Sequence, residues 1–325
     1  MIVVCGEALI DIIPAGDETR RPVPGGGPFN TARSLARLGA PTSFLGRLST
    51  DAFGSALARE LAADGADLSL VSYGPEPTTL AVAELDGEGL AEYEFYVHGT
   101  SAPNLTPAMV PSKLPANVDA LHVGTLGLVL EPMATTLAEV ARRESEHRLL
   151  MLDPNVRPQL AADASAYRGR LDGLVAHSTV VKASEGDLAW LHPGLDCEEA
   201  AGRMLALGAR LVLVTLGPAG ALAVSSAGTV RVAAPRVEVV DTIGAGDAFG
   251  AAVLAWLHDH DVLRPDLSLD PDEVESMLGF ACLVAAITCT RPGADPPWRA
   301  ELGEGTAGVK RARRLQGSAR RRGPI

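Results

Sequence analysis

Lysine is nearly missing from this chain: Lys113, Lys182 and Lys310 are all it has. None of them follows a glycine. No G-x-x-x-x-G-K-[ST] loop can therefore be written, and nucleotide-binding folds built on that loop are excluded. Cysteine is scarce as well. Cys5, Cys197, Cys282 and Cys289 form no Cys-x-x-Cys pair, and no His stands at ligand spacing from them. Structural zinc and a disulfide framework have no support. Cys282 and Cys289 fall in an Ala-rich helical stretch and read as small packing residues. Aromatic residues are 4% of a chain that is 47% hydrophobic, so the core has to be aliphatic. Long apolar runs are lacking too. Stretches such as Phe280–Ile287 fall well short of the roughly 20 residues a membrane helix needs.

Basic residues are the minority, 28 against 40 acidic ones, for a net charge of −12. Seven of the 28 sit at the C-terminal end, at Lys310, Arg311, Arg313, Arg314, Arg320, Arg321 and Arg322. The body of the chain is thus more acidic than the total shows. Such a body repels nucleic acid and anionic membranes, and neither is expected as a partner. The tail, residues 303–325, is short of apolar residues and is expected to be disordered and solvated. A phosphate-bearing ligand would need a local site rich in cations, metal or backbone amides. The N-terminal stretch has no basic leader and carries Glu7 and Asp11 within its apolar run. It reads as a strand rather than a signal peptide, with the cytoplasm as the expected compartment.

With 325 residues, the chain allows one large α/β domain with a minor appendage. Strand patterns at Ile2–Val4, Thr42–Leu45, Ala120–Val123, Leu149–Leu152, Val180–Val181, Leu211–Thr215 and Leu222–Val224 interleave with helical ones. The helical patterns are Phe29–Leu38, Ala52–Ala63, Pro132–Glu144, Glu198–Leu207, Ala248–His258 and Asp272–Ile287. That alternation predicts a parallel sheet covered by helices, a Rossmann-like three-layer architecture. Two segments break the rhythm, at about 10–24 and 78–98. Both read as antiparallel strands, the second as a hairpin around Asp86–Gly89, and together they suggest a small β-sheet lid over a cleft.

Two glycine turns carry the chemistry. In Asp241-Thr242-Ile243-Gly244-Ala245-Gly246-Asp247, glycines join the strand-like Val237–Val240 to a helix. Such a turn aims backbone N–H groups and the positive end of the helix dipole at an anion. A dinucleotide fingerprint would use similar glycines, but a carboxylate at Asp247 would repel a pyrophosphate. The same acid makes sense as a base that takes a proton from a hydroxyl attacking a phosphoryl group. The plain alternative is a tight turn with Asp247 serving the helix dipole. The second turn, Gly25-Gly26-Gly27-Pro28-Phe29-Asn30, lets a ligand approach the backbone closely. Asn30 can donate and accept at once, which suits a sugar hydroxyl. Its plain alternative is a flexible loop. His122, beside an apolar strand, reads as a buried core histidine.

These turns resemble the two signature regions of the PfkB (ribokinase-like) carbohydrate kinases, and the fructokinase-like branch within them. Asp153-Pro154-Asn155-Val156-Arg157-Pro158, Val181–Ser184, Thr215–Gly220 and Thr290–Ala294 are similar in order to segments of that branch. The likeness spans residues 1–302. It implies an ATP-dependent phosphorylation of a sugar hydroxyl, with fructose as the expected substrate and 2-keto-3-deoxygluconate as the alternative. A non-catalytic sugar-binding regulator is the rival from another class.

The resemblance also implies roles. Asp247 is the catalytic base, and Gly244, Ala245 and Gly246 form the anion hole. Asp11, Gly26, Gly27, Asn30, His98 and Arg157 face the sugar. Ser184, Thr215, Gly217, Gly220 and Cys282 line the ATP site. Asp187 reaches Mg²⁺ through water, on a shorter arm than the glutamate the family often has there. Asp241, Ile243, Thr288, Arg291 and Gly293 stand where some members hold a monovalent cation such as K⁺. His98 replaces an Arg that acid-sugar members often carry, and Arg157 is the remaining candidate partner for a carboxylate. A homodimer through the lid edge is expected on the same ground.

Overall fold

The strands at the centre of the molecule bury both of their faces, because helices cover the sheet on either side. The computed structural model describes residues 1–14, 19–85 and 91–303. The chain opens with β1 (Ile2–Cys5), whose Ile2 and Val4 join one core and whose Val3 and Cys5 join the other. There follow β2 (Leu9–Pro14), β3 (Arg20–Gly25), α1 (Gly27–Arg37), β4 (Thr42–Ser49), α2 (Ala52–Asp64) and β5 (Val71–Gly74). Next come β6 (Leu80–Leu85), β7 (Ala91–Tyr96), β8 (Ala120–Gly124), α3 (Met133–Glu144), β9 (Leu149–Asp153) and α4 (Ala164–His177). The chain continues through β10 (Val180–Ser184), α5 (Glu185–Leu191), α6 (Cys197–Leu207), β11 (Leu211–Thr215), β12 (Ala221–Ser225) and β13 (Gly228–Val232). It ends on α7 (Ala245–Asp259) and α8 (Pro271–Cys289).

The large sheet has the order β13-β12-β11-β10-β9-β8-β1-β4-β5. It is parallel except for β12 and β13, which finish one side as an antiparallel edge. Leu35, Leu57, Val253 and Leu278, from α1, α2, α7 and α8, fill one face. Leu137, Leu171, Leu188 and Met204, from α3 to α6, fill the other. This is the three-layer α/β architecture the sequence pattern predicts. A separate four-stranded sheet, β3-β2-β6-β7, is the lid. Each half of it is an antiparallel pair, and β2 joins β6 in parallel. The expected hairpin tip at Asp86–Gly89 and the basic tail beyond residue 303 lie outside the described residues.

Several elements escape the sequence pattern. In α4 only Tyr167, Leu171, Leu174 and Val175 are buried, too few to make a clear helical stripe. The seven residues of α5 are too short for one, and β5 and β13 are edge strands with mixed exposure. The strand-like Val237–Val240 is corrected: it is irregular, and Val239 and Val240 are 59% and 60% exposed. β-branched composition favours a strand only where a partner strand is within reach. Here the neighbour is the end of α8, where Val240 N donates to Cys289 O at 2.8 Å.

Gly54 in α2 gives a sharp test of packing. Alanine there would ordinarily favour a helix by roughly 0.5–1 kcal/mol. An added Cβ would lie 2.1 Å from the Ser49 carbonyl oxygen, a backbone atom that cannot swing away. Gly54→Ala is expected to lower stability by about 1–3 kcal/mol in urea denaturation. A stabilised variant would contradict the close approach of α2 to β4.

Candidate functional site

A parallel sheet leaves its ligand site at the carboxyl ends of the strands, where the strand order reverses direction. Here the chain winds outward from β1 through β4 and β5 on one side and through β8 to β11 on the other. A cavity of about 640 Å³ opens at that point. Its lining includes Glu7 after β1, Thr125 after β8, Asn155 after β9, Ser184 at the end of β10 and Thr215 at the end of β11. Leu9 and Asp11 from β2 and Tyr93 and Phe95 from β7 bring the lid to the same space.

The first turn of α7 points into this cavity. Gly244 caps the helix at φ +76, a left-handed conformation that glycine adopts without strain. A Cβ there would also lie 2.5 Å from that of Ala294. The opening amides of a helix have no partner within it. Ala245 N leans back to Thr242 O at 3.3 Å, while Gly244, Gly246 and Asp247 line the cavity. Asp247 is buried, and its Oδ2 accepts a hydrogen bond from Asn30 Nδ2 at 2.9 Å. Burial pushes this carboxyl above the ordinary aspartate range. The Asn30 hydrogen bond and the charges of Lys182 and Arg157 pull the other way.

The glycine turn before α1 forms the opposite wall. Gly27 must lack a side chain, since a Cβ would lie 2.3 Å from Thr125 Oγ1 and 3.3 Å from Asp247 Oδ1. Gly26 lines the cavity at φ +105. Glu7, which sequence reasoning gave no role, clamps two loops. Its Oε1 accepts from Gly27 N and its Oε2 from Gly127 N, each at 3.2 Å. Thr125 and Asn155 hold positive φ values of 52 and 36, and Asn155 Nδ2 donates to Thr125 Oγ1 at 3.2 Å. Strained backbone of this kind concentrates at functional sites. Arg157 lines the cavity, with Nη1 donating to Asn155 O, Asn155 Oδ1 and Val156 O.

The structure keeps His98 away from the others. It is exposed, past the end of β7, and does not border the cavity. The residues of β7 that border it are Tyr93 and Phe95, whose rings stack at 6.2 Å. The period-two alternation of a strand sends Glu94 and Tyr96 outward instead. Sequence likeness weighed His98 by position in the chain and missed this alternation.

A second cavity, of about 530 Å³, adjoins the first and shares Thr215, Gly217, Pro218, Thr242 and Gly246 with it. Its walls are more apolar, with Val237 and Val239, Phe249 of α7, and Cys282, Ala286 and Cys289 of α8. Gly220 also lines it. Ser184 stays in the first cavity and caps α5. The capping box also engages Asp187, whose Oδ2 accepts from Ser184 N and Oγ at 2.8 and 2.7 Å. Asp187 Oδ1 accepts from Val156 N at 2.8 Å. The remaining expected group meets at the base of α7: Asp241 accepts from Ile243 N at 3.0 Å and from Gly293 N at 2.8 Å. Thr288 is buried with its hydroxyl on Val284 O, and Arg291 pairs with Glu301. Among the described residues no group of three or more His, Cys, Asp or Glu side chains could hold a metal ion.

The sequence model of the pfkB family carbohydrate kinase matches residues 1–301. The chain is 39% identical over 276 residues to a fructokinase of Rhizobium leguminosarum bv. trifolii, covering 83% of this chain and 84% of that one. Among solved structures, the fructokinase with bound ATP from Xylella fastidiosa superposes with a TM-score of 0.85 at 27% identity, covering 94% of this chain and 98% of that one. The Vibrio cholerae fructokinase in its fructose-, ADP- and calcium-bound form gives 0.81 at 27%, over 93% and 97%.

The carboxyls in the cavity set a pH signature. Burial, then the Asp247 charge, pushes Asp11 from 3.8 up to about 7, against the pull of Arg157. Burial pushes Glu7 from 4.5 up to about 8, against hydrogen bonds from backbone amides. The folded chain therefore holds more protons than the unfolded one between those limits, and stability falls as pH rises through them. Asp11→Asn removes one such group. Its Tm relative to wild type is expected to rise by about 2 °C or more between pH 5 and pH 8.5, the shift of roughly 1 kcal/mol. An unchanged difference would show that Asp11 is well solvated.

Proposed function

Since the chain belongs to the pfkB family of carbohydrate kinases, we propose that its two joined cavities hold a neutral, fructose-like sugar beside the triphosphate of ATP. The sugar lies in the polar cavity and the adenine in the apolar one, against Cys282. Asp11, Gly26, Gly27, Asn30 and Arg157 line the sugar side. Ser184 and Thr215 stand between sugar and nucleotide, with Gly217 and Gly220 along the nucleotide wall.

The observation that carries this reading is the position of Asp247, a buried carboxylate in the first turn of α7, in the same cavity as Gly244 and Gly246. Asp247 takes the proton of the attacking hydroxyl as the sugar oxygen bonds to the γ-phosphorus. The bond from that phosphorus to the bridging oxygen breaks, and ADP leaves. Amides of Gly244, Ala245 and Gly246 stabilise the charge on the transferring group. In a non-catalytic sugar binder the same acid would only accept a hydrogen bond from a sugar hydroxyl, and the protein would release no ADP.

A divalent cation, Mg²⁺ in this reading, neutralises the phosphate oxygens when bound. Among the described residues there is no carboxylate cage for it, and the reading has the ion carried by phosphates and water. Asp187 would meet it through water, since both of its oxygens already accept hydrogen bonds from the chain. Oxygens of Asp241, Ile243, Thr288, Arg291 and Gly293 would hold K⁺. The lid strands β3 and β7 are sheet edges and offer a surface for a homodimer. Four free cysteines suit the reducing cytoplasm.

The choice of a neutral sugar follows from charge. The wall carries Asp11 and Asp247, and the Nη1 of Arg157 is engaged by acceptors of its own loop. A carboxylate would meet these acids with little free cation to receive it. We expect kcat/KM for fructose to exceed that for 2-keto-3-deoxygluconate by at least about tenfold, roughly 1.4 kcal/mol. Side-by-side ADP-release assays at saturating MgATP decide it, and a faster acid sugar would overturn the neutral-sugar reading. Asp247→Asn keeps the shape of the acid and removes its proton acceptance. It should lower kcat about 10²–10⁴-fold with sugar binding kept. Near-wild-type turnover would remove Asp247 from the role of base.

A further inference from the structure

Beneath the first turn of α7, the sheet carries a row of polar side chains where apolar ones would pack. His122 of β8 is in register with Met151 of β9, and Met151 with Val180 of β10. Asp153 and Lys182 stand two residues further along the same face. This is the face that α7 covers: the Met151 Cε lies 3.4 Å from where a Cβ on Gly250 would stand. The side chains of Lys182 and Asp153 are 5% and 3% exposed, with Nζ 2.9 Å from Asp153 Oδ2. Among the described residues, Asp153 Oδ1 and both ring nitrogens of His122 have no hydrogen-bond partner.

A buried ion pair is a poor source of stability, because the desolvation of two charges offsets their attraction. What the pair does provide is a fixed positive charge at a chosen place. Lys182 Nζ lies 3.0 Å from where a Cβ on Gly246 would stand, immediately behind the glycine turn, and Lys182 borders the cavity there. Burial works against its ammonium, but the Asp153, Asp187 and Asp247 carboxylates outweigh it and hold the pKa above the ordinary lysine value. Burial pushes Asp153 up to about 6, which leaves it ionised at neutral pH. His122, pushed down to about 3 by burial and by Lys182, is neutral and competes for neither partner. The ammonium thus keeps its charge with a single carboxylate fixing its position.

We propose that Lys182 is a catalytic residue of the phosphoryl transfer, its ammonium donating to an oxygen of the transferring group from beneath the Gly244–Gly246 turn. Asp153 is its positioning residue. The lysine stays protonated throughout; it neither gives up nor receives the proton that Asp247 takes. The assignment rests on reading the cavity as a kinase site.

Removing one member of a buried pair leaves the other unpaired, so Lys182→Gln alone is expected to be destabilised. The informative variant is Lys182→Gln with Asp153→Asn, which removes both charges and keeps the shapes. It should recover stability in urea denaturation while kcat for fructose stays about 10²–10³-fold below wild type, with the sugar KM within threefold. It should also bind ADP normally and lose inhibition by ADP with aluminium fluoride and sugar, a mimic of the transferring group. A stable double variant with kcat within a few-fold of wild type, or with fluoroaluminate inhibition intact, overturns the proposal and leaves the pair structural. A wild-type protein that releases no ADP with any sugar overturns the reading of the cavity and this proposal with it.

Discussion

A carboxylate that must accept a proton has to be ionised, yet the place where it works excludes the water that would keep it so. In the role proposed for it, Asp247 is held under this constraint. Burial drives its pKa up, and three neighbours from separate parts of the fold oppose that drive. Asn30 hydrogen-bonds to it from α1, Lys182 acts from β10, and Arg157 acts from the loop after β9. The N-terminal end of α7 adds its own positive potential. The sheet order gathers these elements at the reversal between β1 and β8, and without them burial would act on the acid unopposed.

The same constraint accounts for the rest of the wall. Glu7 and Asp11 face the cavity alongside Asp247, and three ionised carboxylates in one enclosed space would repel each other. Glu7, pushed up to about 8, is mostly neutral near pH 7 and serves as a clamp on the Gly27 and Gly127 amides. One negative charge is thereby removed from the wall without removing the side chain. The shortage of lysine in the sequence takes on a meaning here. Of the three lysines, the one on a central strand is buried beneath the Gly244–Gly246 turn, paired with Asp153.

Much of the site is legible in the sequence because it rests on backbone. Gly244 and Gly27 occupy positions where a Cβ would collide with Ala294 or with Thr125, and such positions leave glycine as their trace. The acid beside the first of these turns then names the chemistry. The alternation of strands and helices gives the layers, since both faces of the sheet are buried. What the sequence hides depends on side-chain direction and on distant partners. Nothing local marks Glu7 as a clamp between the Gly27 and Gly127 loops, or Lys182 as the ammonium under Gly246. His98 is the converse case: its position in the chain is suggestive, but the strand pleat gives the cavity to Tyr93 and Phe95. Val237–Val240 has strand composition and joins no strand among the described residues.

The central claim is that Asp247 works as an ionised base whose pKa is raised by burial and restrained by its neighbours. The acidic limb of the kcat/KM profile for wild-type protein reads that pKa in the free enzyme. The account predicts that kcat/KM falls as pH drops, with an apparent pKa above the ordinary aspartate value of 3.8. It also predicts that the limb changes in the residual activity of Asp247→Asn, where only the titrations of groups such as Asp11 and Asp153 remain. A profile that stays flat down to pH 4 in folded protein, or a limb that persists unchanged without Asp247, would contradict it.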